Sequence, residues 1–145
     1  MNSDDFHFSI SIPVRFADCD VLGHVNNAKY ITYMEQVRVD YFAQIMGIYL
    51  SGPLANPEVS AIIAEVTCAF KSPVHQGEII VTKVRTSEMK RSSLIMEYKL
   101  VDQKTNRLVA TGRSVTVAYN YKENKSIPIP NEIRKKIEKI EKRKF

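Results

Sequence analysis

A single long apolar helix followed by an almost unbroken succession of strands leaves this chain few ways to fold. Tyr30, Tyr33, Met34, Val37, Tyr41 and Ile45 recur at intervals of three and four, the period of a helix with one buried face. Ala28, Ile31, Val39, Phe42 and Met46 widen that face until the helix must be wrapped and not merely laid on a sheet. From residue 60 to 121 the chain reads as strand: 60–70, then roughly 78–88, 92–102 and 107–121. Short polar turns at Met89-Lys90-Arg91 and Gln103-Lys104-Thr105-Asn106 join the last three runs into an antiparallel meander. Strands of about ten residues span roughly 33 Å at ~3.3 Å per residue. A helix over 27–46 spans about 30 Å at ~1.5 Å per residue. The matching lengths predict an α+β fold: one long, curved antiparallel sheet wrapped around a central helix.

The flanks fit this plan. Phe8, Ile10, Ile12, Val14 and Phe16 alternate with His7, Ser9, Ser11, Pro13 and Arg15, which predicts a strand with one buried face over 6–16. Pro13 has no N–H for a ladder, so this strand belongs at an edge or is bulged there. Gly47 is placed to cap the helix C-terminus, and 48–58, with Gly52, Pro53 and Pro57, reads as a loop. After Pro128 and Pro130, residues 131–143 form a charged helix. Its thin apolar line of Ile133, Ile137 and Ile140 leaves docking on the sheet edge and exposure to solvent both open. The expected organisation is one domain over 1–130 and a basic C-terminal helix and tail over 131–145.

Charge excludes several classes. The chain carries +5, but residues 131–145 alone hold seven Lys/Arg against three Glu. The body is close to neutral, so nucleic acid is not an expected partner. No apolar run is long enough to span a bilayer, so no membrane is expected. The acidic N-terminus lacks the basic and apolar regions of a signal peptide. The two cysteines, Cys19 and Cys68, make no disulfide framework. A cytoplasmic location follows as the expectation. His7, His24 and His75 have no metal-ligand spacing and there is no CxxC, so no metal and no cofactor are expected.

Between the first strand and the helix lies a dense polar stretch, Asp18-Cys19-Asp20-Val21-Leu22-Gly23-His24-Val25-Asn26-Asn27. Amides of a first helical turn are unpaired and sit at the positive end of the dipole. They can polarise a carbonyl and hold the oxyanion that develops on attack. A carboxylate beside them can attack that carbonyl or deprotonate a water that does. A thioester suits such a site, because its carbonyl is electrophilic and thiolate leaves readily.

Extended to Phe16-Ala17-Asp18-Cys19-Asp20-Val21-Leu22-Gly23-His24-Val25-Asn26-Asn27-x-x-Tyr30-x-x-Tyr33-x-Glu35-x-x-Arg38, the pattern resembles the signature of the 4-hydroxybenzoyl-CoA thioesterase family of hotdog-fold acyl-CoA thioesterases. The resemblance extends to about residue 121. It implies the hotdog fold and hydrolysis of an acyl-CoA to a free acid and CoA. By the same resemblance Asp20 is the catalytic carboxylate, nucleophile or general base, and the backbone N–H of Asn27 is the oxyanion donor. It implies at least a homodimer, with homotetramer also open, and a site at the subunit interface. Lys90, Arg91 and Ser92 fall where the family often contacts CoA phosphates.

The other residues carry plainer expectations. Gly23 lets the backbone turn tightly. Asp18 orders the loop, and would share a face with Asp20 if the chain stayed extended. His24 is a base or a loop histidine bonded to backbone, and Asn26 a helix cap or brace. Glu35 has Arg38, at i+3, as its structural partner, with a role beside the acyl pocket as the lesser alternative. The tyrosines at 30, 33 and 41 are expected in the core, with Tyr33, Tyr41 and the 48–58 loop as candidate walls of an acyl pocket. Cys19 has no basic neighbour to activate it. Two rival functions remain: a hotdog hydratase or dehydratase, and a non-catalytic acyl-CoA-binding module. Gly23-His24-Val25-Asn26 lacks the proline of the hydratase patterns, and neither aspartate stands five residues before His24.

Overall fold

The computed structural model describes residues 5–46 and 58–145. Strand β1 (Phe8–Pro13) leads through a 3-10 turn (Phe16–Asp18) to helix α1 (Asn27–Met46). Strands β2 (Ser60–Phe70), β3 (Ile79–Met89), β4 (Ser93–Asp102) and β5 (Leu108–Asn120) follow, then the short β6 (Lys125–Ser126) and helix α2 (Asn131–Glu141). The strands form one antiparallel sheet in the order β1-β3-β4-β5-β2, with β6 added to β5. This is the long antiparallel sheet with one long helix against it that the helix and strand lengths predict, and the hotdog-like fold that the resemblance implies.

The meander β3-β4-β5 forms the middle of the sheet, and α1 lies against it. On β3 up to the bulge after Thr86, and on β4, side chains of even number face inward, among them Val84, Met96, Tyr98 and Leu100. They meet Tyr33, Met34, Val37 and Tyr41 of α1, all buried. The closest approach is over Gly112 of β5. A Cβ there would lie 2.5 Å from Cε of Met34, closer than atoms can pack, so glycine lets the helix settle onto the sheet.

β1 is an edge strand, as Pro13 requires, with Pro13 opposite Ile79 of β3. Its alternation ends sooner than the sequence pattern suggests. Val14 is buried, but Phe16 is 79% exposed. The backbone leaves the strand and enters the 3-10 turn at Phe16, so the period-two rule no longer assigns its face. Gly47 and nearly all of the 48–58 loop lie outside the described residues.

The structure decides the open question about α2, which docks. Ile137 is fully buried, and Ile133 and Ile140 pack against the core. Pairing of β1 with β3 begins at Phe8 opposite Val84. Just beyond, the Thr86 N–H is taken by the Glu141 carboxylate at 3.0 Å, which also accepts the Tyr41 hydroxyl at 2.7 Å. The end of α2 therefore satisfies an edge of β3 that β1 leaves uncovered.

Candidate active site

The stretch between β1 and α1 is built as a loop within a loop. Cys19 and Val25 form an antiparallel bridge, and Val25 is fully buried, its N–H bonded to Val74 O at 2.8 Å. Inside that closure the Asp20 N–H donates to His24 O at 2.9 Å and the Gly23 N–H to Asp20 O at 3.1 Å. Gly23 adopts φ +85°, a conformation costly for any residue with a Cβ. Val21 and Leu22 form the exposed tip.

The two aspartates part company here. The chain does not stay extended between them, so they do not share a face. Asp18 ends the 3-10 turn and is 1% exposed. It accepts hydrogen bonds from the Arg15 N–H (3.1 Å), Arg15 Nη2 (2.9 Å) and the Tyr33 hydroxyl (2.9 Å). Burial works to raise its pKa, but the bonds from Arg15 and Tyr33 outweigh that and hold it below the ordinary value. Asp18 is thus a bracket joining the loop to α1. Asp20 stays accessible, its side chain 29% exposed. One oxygen accepts the Leu22 N–H at 2.9 Å, and the other lies 3.8 Å from His24 Nδ1.

The helix start follows directly. The Asn26 N–H donates to Asp18 O at 2.9 Å, and Asn26 Oδ1 accepts the Ala28 N–H at 3.0 Å, so Asn26 is the cap. Asn27, the first residue of α1, has a backbone N–H with no hydrogen-bond partner among the described residues. A partly exposed carboxylate and an amide with no partner among the described residues therefore bound one hydrogen-bonded loop that leads into the positive end of a twenty-residue helix. Chemically this arrangement can activate a nucleophile and stabilise an oxyanion.

The remaining candidates lie elsewhere. Lys90, Arg91 and Ser92 form the β3–β4 turn, where the sheet ends opposite to the Asp20 loop. That loop is tied to Val74 and, through Val14, to the start of β3. The turn is held from the C-terminal side: Arg134 donates to Lys90 O, the Ile129 N–H to Arg91 O and the Ala118 N–H to Ser92 O, each at 2.8 Å. Within one chain the turn and Asp20 are separated by the length of β3, about 33 Å. Tyr30, Tyr33 and Tyr41 are core residues, and none lines the apolar cavity beside α1.

That cavity, of about 410 Å³, runs beside the second half of α1, within the usual range for small-molecule sites. Val39, Phe42, Ile63, Leu94 and Ile133 make it largely apolar, and Glu35 and Arg38 line it too. The sequence pairs these two charges with each other. In the structure they form a long ion pair, Nη2 to Glu35 at 4.0 Å, and Arg38 Nη1 also donates to the Tyr98 hydroxyl at 3.1 Å. Tyr98 had a readable signal, since it shares the inward parity of Leu94, Met96 and Leu100. That it meets Arg38 was not readable. Among the described residues no cluster of His, Cys, Asp or Glu could hold a metal. None of their helices is long and apolar enough to cross a membrane.

Comparison with known proteins places the chain in a family. Residues 14–137 match the Thioesterase-like superfamily. The chain belongs to that superfamily. It is 31% identical to the chloroplastic acyl-acyl carrier protein thioesterase ATL3 of Arabidopsis thaliana over 91% of this chain and 67% of that protein. It is also 31% identical to the uncharacterized protein YsmA of Bacillus subtilis, over 64% of this chain and 60% of YsmA, less than two thirds of that relative's length. A thioesterase of Thermus thermophilus, solved with coenzyme A and Zn, superposes with a TM-score of 0.83. It is 31% identical to this chain and covers 98% of it, and the match covers 99% of the Thermus chain.

Proposed function

We propose that this chain, a thioester hydrolase by family, cleaves an acyl-CoA to a free carboxylic acid and CoA in the manner of 4-hydroxybenzoyl-CoA thioesterases. The observation that carries the reading is an accessible Asp20 carboxylate on the loop that leads into α1, whose first residue, Asn27, has a backbone N–H with no partner among the described residues. The thioester carbonyl oxygen points at that amide. Asp20 attacks the carbonyl carbon or takes a proton from the water that attacks it. Negative charge gathers on the oxygen as the tetrahedral species forms, and the amide and helix dipole stabilise it. Collapse expels the thiolate of CoA; where water was the attacking group the free acid is formed directly, and where Asp20 was, a water then hydrolyses the mixed anhydride to the free acid and restores the carboxylate. Gly23 and Asp18 hold the loop in place, Asn26 caps the helix, and His24 orients Asp20. The CoA complex of the Thermus relative supports CoA as the carrier.

The assembly we propose is at least a homodimer. Lys90, Arg91 and Ser92 lie too far from Asp20 in one chain to serve the same CoA, so the turn of a second copy would meet the phosphates. Exposed apolar side chains on α1 (Ile31, Val39) and β2 (Ile63, Phe70) support a covering copy.

The decisive experiment is release of free thiol from a panel of acyl-CoAs, with Asp20→Asn as control. The expected loss is at least about a hundredfold in kcat for the variant, the scale on which such groups act. Turnover like the wild type in Asp20→Asn would remove Asp20 from the mechanism. The name of ATL3 favours a second carrier, acyl carrier protein. Comparing the same acyl group on both carriers decides between them.

A further inference from the structure

Arg38 is an odd residue to find where it is. It sits at the wall of a largely apolar cavity and is only 7% exposed. A guanidinium cannot shed its charge and carries five N–H donors. Among the described residues it makes one hydrogen bond, Nη1 to the Tyr98 hydroxyl at 3.1 Å, and that hydroxyl is shared with Ser114 at 2.7 Å. Nη2 lies 4.0 Å from Glu35, whose side chain is 65% exposed and so partners it weakly. Two further polar side chains line the cavity: Ser60 and Thr116, whose hydroxyl faces Met96. A buried cation with most of its donors unspent faces a largely apolar cavity of a size that suits an acyl group.

Its position matches that use. Arg38 is three helical turns beyond Asn27 on nearly the same side of α1, about 16 Å along the axis. Its side chain leans toward the helix N-terminus. An acyl chain whose carbonyl is held at Asn27 and whose body follows α1 into the cavity therefore brings its distal part to the guanidinium.

Resting on the thioesterase reading of the site, we propose that Arg38 is a specificity-determining residue. It selects acyl groups that carry an acceptor oxygen, a carboxylate or hydroxyl, at the end remote from the thioester. Such an oxygen fills donors that a plain alkyl chain leaves bare, and a site built to hydrogen-bond a group discriminates against the analogue lacking it. A carboxylate would take the fork side by side and displace Glu35 from it. A terminal hydroxyl would accept a single bond.

The test measures kcat/KM for thiol release from hexanoyl-, octanoyl- and decanoyl-CoA against their ω-hydroxy and ω-carboxy counterparts. Binding of the corresponding non-hydrolysable thioether analogues is measured in parallel. At the best-fitting length the oxygenated substrate should lead by about tenfold or more. Arg38→Met should erase the lead by slowing the oxygenated substrates while sparing or improving the alkyl ones. Arg38→Lys should keep part of the lead, and Glu35→Gln should increase it for the carboxylates. Tyr98→Phe removes the single internal bond but leaves the cation, so it should lower Tm and keep the lead. If Arg38→Met does not fold, the lysine and Glu35 variants still decide. A wild type that prefers alkyl chains at every length overturns the proposal, as does an Arg38→Met effect equal on all substrates. Selective analogue binding without thiol release from any substrate would instead overturn the hydrolase reading and leave Arg38 standing.

Discussion

Removing one oxygen, in Tyr33→Phe, isolates what the Asp18 bracket contributes. Tyr33 is 4% exposed, and its hydroxyl lies 2.9 Å from the Asp18 carboxylate. Burial first, and then the carboxylate, push the Tyr33 phenol well above its ordinary pKa, so it is a neutral donor at any working pH. A hydrogen bond to a charged group contributes about 1.5–3 kcal/mol. The ring stays and Asp18 keeps its Arg15 donors, so the lower part of that range applies, about 1.5–2 kcal/mol. For a chain of this size that lowers Tm by about 4–8 °C.

Asp18→Asn turns an acceptor into a partial donor among donors and should cost about 3 kcal/mol. Because both changes break the same bond, the double variant should fall short of the sum by about 1–2 kcal/mol. The sign of the pH dependence follows from the lowered Asp18 pKa. Its stabilisation is complete above the ordinary value of 3.8 and is lost as pH falls through the lower folded value. The gap between wild type and Tyr33→Phe should therefore narrow in acid. Urea denaturation of the four proteins at neutral and acid pH measures all of this. A Tyr33→Phe cost within about 0.5 kcal/mol, or strict additivity, would refute the bracket.

Gly23→Ala meets no atom within 4 Å, so its cost is purely that of φ +85°, about 1 kcal/mol. Asparagine should be tolerated better than alanine, and thiol-release rates should fall in the same order as the Asp20 loop distorts; a valine variant with full activity would refute the loop's role. Glu141 has its pKa raised, chiefly by burial, against the lowering effects of Thr86, Tyr41, His7 and Arg85. Its stabilising contribution is therefore greatest below the unfolded value of 4.5 and declines as pH rises through the folded value. Glu141→Gln, which resembles the protonated form, should be at least as stable as the wild type at neutral pH and lose that part of the pH slope. Thermal melts across the acid range check it, and a variant clearly less stable at neutral pH would show that the charge itself holds α2.

What the chain reveals on its own is local and periodic. The repeat of Tyr30, Tyr33, Val37 and Tyr41 located α1, and alternation with short polar turns located β3, β4 and β5, because side-chain direction is a function of backbone period. The same local logic marked Gly23 and Asn26, whose roles depend on their own φ angle and their own side-chain oxygen. The strand order was not legible: β2 lies at the far edge, next to β5 and away from β3, and only closure of the sheet sets that neighbour. Nor was the fate of α2, since a thin apolar line docks or stays in solvent according to what receives it. Here the receivers are Tyr41 and Thr86, distant in sequence from Glu141. The separate roles of Asp18 and Asp20 also come from tertiary structure. They are two residues apart with the same chemistry, and only the 3-10 turn sends one inward to Arg15 and Tyr33 and leaves the other in reach of a substrate. Arg38 follows the same rule. Sequence spacing offers it Glu35, the neighbour on its own helix, and only packing against β4 adds Tyr98 as its hydrogen-bonded partner.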